Sequence, residues 1–442
     1  MVDGGYHWDQ AGAGMVGAGA SPLGRIVPRR AAAALTEALL DTRVVVLTGA
    51  RQSGKSTLVR LLAGDRTAEW RNLDSAVVRE AAAADPTGFV DSTDLMVIDE
   101  IQRVPELLLA IKEQVDLDPR PGRYLLTGSA RPLGLRDLPD TLPGRTETIE
   151  LWPLSQGEID ERPDGFVDTL FDDPAAVSGH SGTVTRTDYA ERVVRGGFPE
   201  AVARTRPERR SRFFDSYVED LIARDVSQLS EIERPAQMRA LLRLLAGRSG
   251  QLLVANALSN ELQLSASSVH RYLGLAEEVF LVKRVPAWSR RVSRRAVGTP
   301  KLCFVDSGIA ANLLAADART LLRPGGPFGP LLEGFVTMEL ARQLRWSRHR
   351  VELSHYRTKD GVEVDVVLED RSGRMVGIEV KASSTVRPDD FRGLRHLAGL
   401  VGDDLVAGLV LYTGSQSLPF GPRMRALPVC SLWEVGSTAA VS

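Results

Sequence analysis

The stretch that decides the fold is Val44 to Arg60, VVVLTGARQSGKSTLVR. Its first five residues, Val44 to Thr48, form a β-branched apolar run and predict a buried strand. Gly49, Ala50, Arg51, Gln52, Ser53, Gly54, Lys55 and Ser56 then fit the pattern Gly-x-x-x-x-Gly-Lys-Ser, and Thr57-Leu58-Val59 opens a helix. Chemistry explains the pattern. Glycines let the backbone curl so that successive N–H groups face one anion, and the helix N-terminus adds partial positive charge. Lys55 can reach the β- and γ-phosphates of a nucleotide, and the Ser56 hydroxyl can hold Mg²⁺. The loop from Gly49 to Thr57 is therefore expected to bind ATP with Mg²⁺.

Outward from this stretch, strands alternate with helices. Glu69 to Leu73 reads as a second strand, and Leu95 to Ile98 as a third ending at Asp99-Glu100. Arg123 to Leu126 reads as a fourth ending at Thr127-Gly128-Ser129, and Thr146 to Leu151 as a fifth behind Gly144-Arg145. Such alternation predicts a parallel sheet covered on both faces, with ligands bound beyond the carboxyl ends of its strands. Asp99 is expected to hold Mg²⁺ through water, and Glu100 to orient and polarise the attacking water. Thr127 and Ser129 are expected to position that water or sense the γ-phosphate. Arg145 is a candidate to face a nucleotide, in its own subunit or the next, with a plain surface arginine as the competing reading.

Composition bounds the remainder. A chain of 442 residues, 25% charged and 43% hydrophobic, reads as a soluble globular protein. Its length suggests roughly three domains. A net charge of −2 excludes a global pull toward nucleic acid, so any basic surface must be local. Cys303 and Cys430 lie far apart without metal-ligand spacing, which fits a reducing cytosol and argues against a disulfide scaffold. Met1 to Gly24 is rich in Gly and Ala and reads as a disordered leader, not a signal peptide. The apolar run Leu405 to Leu411 falls far short of the roughly 20 residues a membrane span needs. A cytoplasmic protein with no membrane partner is expected.

Gln156 to Arg186 shows little periodicity and reads as an inserted loop, and Tyr189 to Leu229 as mostly helical with a break at Gly196-Gly197-Phe198-Pro199. Gln237 to Ala246, Val254 to Leu262 and Ser265 to Ala276 predict three helices. With the turn Gln263-Leu264 and short strands near Leu281 to Val285 and Lys301 to Val305, they have the layout of a helix-turn-helix with a wing. Arg204, Arg206, Arg209, Arg210 and Arg212 form one basic cluster. Arg284, Arg290, Arg291, Arg294, Arg295 and Lys301 form another, with Trp288 among them. Two readings stay open here: contact with DNA phosphates, Trp288 stacking on a base, or a solvated arginine-rich face with Trp288 in the core.

Beyond Leu331 a helix to Leu344 precedes strands near Leu353 to Arg357, Glu363 to Leu368 and Met375 to Lys381. A helix from Asp389 to Leu400 and strands at Leu405 to Tyr412 and Leu427 to Trp433 follow. With a strand period of two, Glu379 and Lys381 share a face, as do Glu363 and Asp365.

The segments GARQSGKSTL, LMVIDEIQRVPELL, YLLTGSARP, GGFPEA, YVEDLIARDV and KLCFVDSGIA resemble a bacterial and archaeal family of AAA+ type ATP-binding proteins. That family carries a winged-helix segment and a nuclease-like C-terminal domain, and the resemblance runs from about Arg25 to Val435. It implies ATP binding and hydrolysis. In its last part, GVEVDVVLE…GIEVKAS resembles the Holliday-junction-resolvase branch of the restriction-endonuclease-like core. This implies Asp365 and Glu379 as Mg²⁺ ligands, Lys381 as the catalytic lysine and Glu333 as an auxiliary acid. An inactive domain kept for interaction is the competing reading.

The expected architecture is α/β: a leader at 1–24, a parallel-sheet P-loop ATPase domain at 25–155, and a loop insertion with helical lid at 156–230. A winged-helix region at 231–315 and an α/β restriction-endonuclease-like domain at 316–442 complete it. The expected function is a Mg²⁺-dependent ATPase coupled to DNA binding or nuclease-like activity. The alternative is a nucleotide-controlled switch or assembly protein with an inert C-terminal domain. Besides ATP, these readings leave DNA, a protein partner or a second copy of the chain as partners.

Overall fold

A computed structural model of the chain describes residues 6–8, 15–18, 26–64, 67–129, 142–226, 235–290 and 298–436. The chain divides into two compact units. Met1–Leu154, Phe198–Thr205 and Glu278–Phe280 form the first; Ser155–Gly197, Arg206–Glu277 and Leu281–Ser442 form the second.

In the first unit, β1 (Tyr6–Trp8) pairs antiparallel with β2 (Met15–Ala18), in the segment expected to be disordered. The correction has a simple cause: Tyr, Trp and Val are strand formers, and the abundance of Gly and Ala around them masked the two short runs. Then come α1 (Ala31–Asp41), β3 (Val44–Thr48), α2 (Lys55–Ala63), β4 (Ala68–Asn72) and α3 (Ala76–Ala84). They are followed by β5 (Leu95–Asp99), α4 (Leu107–Leu117), β6 (Tyr124–Gly128) and β7 (Thr146–Glu150). The five strands β3 to β7 are all parallel, in the order β4-β5-β6-β3-β7.

Alternating residues of these strands feed two cores. Val44, Val46, Met96, Ile98 and Leu126 pack with Leu107, Leu108 and Ile111 of α4, whereas Val45, Leu47, Val97 and Leu125 pack with Leu35, Leu58 and Val59 of α1 and α2. Burial on both faces is why the strands read as continuous apolar runs. Each such side chain contributes roughly 1.5–3 kcal/mol when fully buried. Two cores therefore fix the sheet and leave its carboxyl edge to carry polar groups. The strand order also sets β6, with Thr127, between the phosphate-loop strand and the strand ending at Asp99.

The second unit begins with a correction. Gln156 to Arg186, expected as a loop, holds the helices Gln156–Asp160 and Phe166–Asp172 and a 3₁₀ turn Pro174–Val177. Ser155 and Glu158 form a capping box, and Phe166, Val167, Leu170 and Phe171 are buried. Helices this short show no readable periodicity. The segment joins the C-terminal sheet's unit: Val167 N donates to Gln343 Oε1 at 3.1 Å, and Asp164 N donates to the Trp433 carbonyl at 3.0 Å.

Next come α5 (Arg186–Arg195), α6 (Pro207–Asp220), α7 (Pro235–Ala246), α8 (Ala255–Leu262) and α9 (Ala266–Glu278). The strands β8 (Val282–Val285) and β9 (Lys301–Phe304) pair antiparallel behind them. Gly197 and the VDSG stretch meet here. Buried Asp306 caps the helix Ser307–Leu313 through the Gly308 and Ile309 amides and also accepts from Gly197 N at 2.6 Å. After α10 (Phe328–Gln343) come β10 (Val351–Arg357), β11 (Glu363–Asp370), β12 (Met375–Lys381), α11 (Arg392–Val401), β13 (Leu405–Tyr412), β14 (Leu418–Pro419) and β15 (Met424–Pro428).

These strands make a six-stranded mixed sheet in the order β10-β11-β12-β13-β15-β14. The first three form an antiparallel meander, and β13 and β15 run parallel to β12. The last strand ends earlier than expected: Ser431–Glu434 is helical, with Trp433 buried. The middle helices, apart from Phe198–Thr205 and Glu278–Phe280, and the C-terminal sheet fall within the second compact unit.

Candidate functional site

At the carboxyl end of β3 the loop depends on two glycines. Gly49 has φ +150, and a Cβ there would meet the Leu151 carbonyl oxygen at 2.2 Å. Gly54, at φ +98, is the N-cap of α2 in the left-handed region. Lys55 is buried and folds back on the loop, its Nζ donating to the Gly49 carbonyl at 2.8 Å and the Ala50 carbonyl at 3.0 Å. Arg29, which sequence reasoning missed, donates to the Ser53 carbonyl and to the Trp152 carbonyl, both at 2.6 Å. It ties the phosphate loop to the segment after β7. No motif marks Arg29, since it precedes the first helix in an ordinary basic run.

The hydroxyls and acids singled out from sequence come together beside this loop. Ser56 Oγ donates to Asp99 Oδ2 at 3.0 Å, and Thr127 Oγ1 donates to Asp99 Oδ1. Glu100 N donates to Thr127 Oγ1 at 3.2 Å, and Ser129 Oγ donates to Glu100 Oε2 at 2.9 Å. Glu100 itself has φ 61, a left-handed conformation uncommon outside glycine. Gln102 was not anticipated: its Nε2 donates to Ser129 Oγ at 3.0 Å and to Glu100 Oε2. Its polar place two residues after Glu100 was the available signal. A hydroxyl and a carboxylate held this close are oxygen donors of the kind Mg²⁺ takes, so Ser56 and Asp99 fit that ion.

Arg145 lies elsewhere, which corrects its expected place. In parallel pairing Val44 faces Thr146, so Arg145 sits at the amino end of the sheet. Level with Arg43, it stands five residues, or about 17 Å of strand, from Thr48, after which the phosphate loop starts. Arg145 Nε donates to Asp116 Oδ1 at 2.6 Å, and this hydrogen bond holds the Asp116 carboxyl below its usual range. Arg145 therefore does not face a nucleotide in its own loop.

A second acidic centre lies in the other unit, in a cavity of ≈ 320 Å³. Asp365 on β11, Glu379 and Lys381 on β12 and Glu333 on α10 all line it, as expected, and Glu363 joins them. What sequence did not show is Lys301. This residue, assigned to the exposed wing cluster, has a side chain only 3% exposed, and its Nζ lies 2.5 Å from Glu333, 2.8 Å from Glu363 and 2.9 Å from Asp365. Burial opposes its charge, but Asp365 and Glu333 outweigh burial and hold the ammonium well above its ordinary pKa.

The surrounding acids respond in turn. Burial, with the charge of Asp365, pushes Glu333 up to about 8 and Glu379 up to about 9. Asp365 is held low against its burial by Lys301 and by the Val380 amide, which donates to Oδ2 at 2.9 Å. Lys381 Nζ stands 3.5 Å from Glu379 Oε2. The carboxyls of Glu333, Glu363 and Asp365 would suit a divalent cation by type, yet an ammonium already stands among them, and the set does not fit a metal while Lys301 is there.

Trp288, weighed as a stacking residue, is buried instead. It meets Tyr356 edge-on with ring centroids 5.8 Å apart, and its Nε1 donates to Glu369 Oε2 at 3.0 Å. Arg284 pairs with Glu277 at 3.2 Å, and Arg290 Nη1 donates to the Leu400 carbonyl at 3.2 Å. Arg291, Arg294 and Arg295 lie outside the described residues. Of the earlier cluster, Arg206, Arg209 and Arg212 are exposed, while Arg204 pairs with Glu200.

Comparison with known proteins matches three stretches of the chain. Residues 41–160 match an AAA domain, residues 186–320 a domain of unknown function (DUF8612), and residues 328–432 another (DUF4143). Among solved structures, a Walker-type ATPase of Pyrococcus abyssi is 14% identical, covering 65% of this chain and 96% of its own, with a TM-score of 0.41. A RuvB variant of Thermotoga maritima is 20% identical, covering 58% and 86%, with a TM-score of 0.26. Both are distant likenesses. Among the described residues no helix is long and apolar enough to cross a membrane. The uncharacterized proteins Rv2008c of Mycobacterium tuberculosis and Mb2031c of Mycobacterium bovis are each 30% identical over 412 residues, covering 92% of this chain and 85% of theirs. This chain belongs to the family of these two mycobacterial proteins, and its first unit carries an AAA-type nucleotide-binding domain.

Proposed function

We propose that the protein is a Mg²⁺-dependent ATP hydrolase of the AAA type, acting in the cytoplasm as a nucleotide-controlled switch or assembly protein. The observation that carries this reading is the chain of contacts from Ser56 through Asp99 and Thr127 to Glu100 and Ser129, set beside a glycine-shaped phosphate loop. Bound ATP with Mg²⁺ would supply the γ-phosphoryl group and the charge neutralisation that its transfer to water needs. The protein's own part is positioning. Lys55 exchanges its two carbonyl partners for phosphate oxygens, and the amides from Ala50 to Thr57 cradle the anion. Ser56 and Asp99 would hold the metal. Glu100 orients the attacking water, and Ser129 and Gln102 hold the Glu100 carboxylate in place. Thr127, hydrogen-bonded to Asp99 and to the Glu100 amide, links the two acids.

The test is nucleotide binding by Lys55→Ala, read with a fluorescent ATP analogue. Loss of tight binding is expected, and wild-type affinity would refute the reading.

For the second unit, the order of helix, antiparallel meander, helix and parallel strand supports a restriction-endonuclease-like fold, and three helices with a hairpin support a winged helix. Coupling of ATP turnover to DNA draws on the exposed Arg206, Arg209 and Arg212 and on Lys381 beside Glu379. The cage around Lys301 favours the version without cleavage, in which Asp365, Glu379, Glu333 and Lys381 keep a nuclease-like arrangement but act in binding. Incubation with Mg²⁺ and branched, duplex or single-stranded DNA decides it: cleavage that Lys381→Ala abolishes would restore the nuclease.

A further inference from the structure

Divalent-metal sites form where carboxylate oxygens converge on one point. In the second unit Glu333, Glu363 and Asp365 converge so that one oxygen from each lies within 4.8 Å of the others. The Lys301 ammonium contacts all three, at 2.5, 2.8 and 2.9 Å. An ammonium has three N–H donors, and here each has a carboxylate to meet. A metal bound to the same oxygens would have to take the position that Nζ holds. We propose that Lys301 is the built-in cation of this centre: it stands in for a divalent metal, and the wild-type chain takes up no Mg²⁺ or Mn²⁺ at these carboxylates.

Several contacts fix the lysine there. Its backbone pairs with Val285 across the hairpin. On either side, Leu302 N donates to the Gln251 carbonyl at 3.1 Å and Leu253 N to the Pro300 carbonyl at 2.8 Å. The Lys301 side chain is 3% exposed. Lys381, by contrast, is 35% exposed on the sheet that carries the acids.

The chemical consequence is direct. A metal lowers the pKa of bound water and so makes a nucleophile, whereas an ammonium whose protons are committed to carboxylates can neither do that nor donate to a phosphate oxygen. The cavity itself is lined by six acidic side chains and by Lys381 and Arg392. This inference stands apart from the ATP site.

Mn²⁺ titration of the nucleotide-free full-length protein, followed by electron paramagnetic resonance, tests it. Wild type and Asp365→Asn should bind Mn²⁺ identically. Lys301→Ala should gain a single further ion per chain, and Lys301→Ala combined with Asp365→Asn should lose it again. Should Lys301→Ala fail to fold, the first pair still decides. An ion held by wild type and lost in Asp365→Asn overturns the proposal, as does a folded Lys301→Ala chain that gains none.

Discussion

The acids near the phosphate loop and the acids around Lys301 are the same residue types, yet positive charge reaches them differently. Asp99 and Glu100 are held by neutral donors, the hydroxyls of Ser56, Thr127 and Ser129 and the amide of Gln102. Among the described residues no ion pair joins either acid to a cation, and Lys55 is turned to backbone carbonyls. Glu333, Glu363 and Asp365 instead enclose a lysine from a separate two-stranded sheet. The first arrangement leaves the place of the cation to a ligand, and the second fills it. A pattern of carboxylates therefore does not identify a metal centre until the source of the countercharge is known.

The largest expected effect comes from emptying the cage. Lys301→Met removes the charge at nearly constant volume and should destabilise the chain by roughly 3–5 kcal/mol, the usual cost of breaking a buried ion pair. Urea unfolding measures it, and a loss below about 1 kcal/mol would show that the lysine does not hold these acids together. On the other side of the comparison, Glu100→Gln should still bind ATP but turn it over at least ~100-fold more slowly, on the scale of one well-placed catalytic group. Turnover within about threefold of wild type would remove Glu100 from the chemistry.

A subtler effect is expected at His355, beside the Lys301 hairpin. Burial pushes its pKa down to about 4, and its Nε2 meets the Thr299 carbonyl at 3.0 Å. A depressed histidine favours the neutral form in the folded state, while the unfolded chain binds the proton near the ordinary value of 6.5. Its contribution is therefore complete above about pH 6.5 and is lost as pH falls toward 4, at up to about 1.4 kcal/mol per pH unit. Unfolding free energies across that window should show a flatter profile for His355→Gln than for wild type. The same slope in both chains would assign the loss to other groups.

Smallest of all should be Arg145→Ala. Tied to Asp116 at the far end of the sheet, it makes a solvent-screened surface pair of little weight. Its removal should leave ATP affinity unchanged, and a marked drop would mean that the arginine reaches a nucleotide after all.

Much of the first unit was legible in the sequence because its signals are local. A strand, a glycine-shaped loop and a helix follow one another within seventeen residues, and the strand ends at Asp99 and Thr127 announce themselves by their apolar runs. Gln102 and Arg29 were hidden because they act on Glu100 and on the loop through contacts that no spacing encodes. Arg145 was misread because sequence shows which strand a residue precedes, not that in a parallel sheet this places it opposite the loop.

The second unit's sheet was legible for a similar reason. Strand runs with period-two faces marked the meander, although short helices between 156 and 186 escaped notice. Lys301 was not legible at all. It lies more than thirty residues before Glu333, among arginines that look like a wing, and only tertiary packing turns it inward. Trp288 belongs to the same lesson, since many of its neighbours in sequence are basic while its neighbours in space include Tyr356 and Glu369.

Counting Mn²⁺ ions on the full chain with a saturating non-hydrolysable ATP analogue puts both centres in one experiment. A single ion per chain is predicted, lost in Asp99→Asn and unaffected by Asp365→Asn. A second ion that disappears with Asp365→Asn, or a single ion indifferent to Asp99→Asn, would contradict the account.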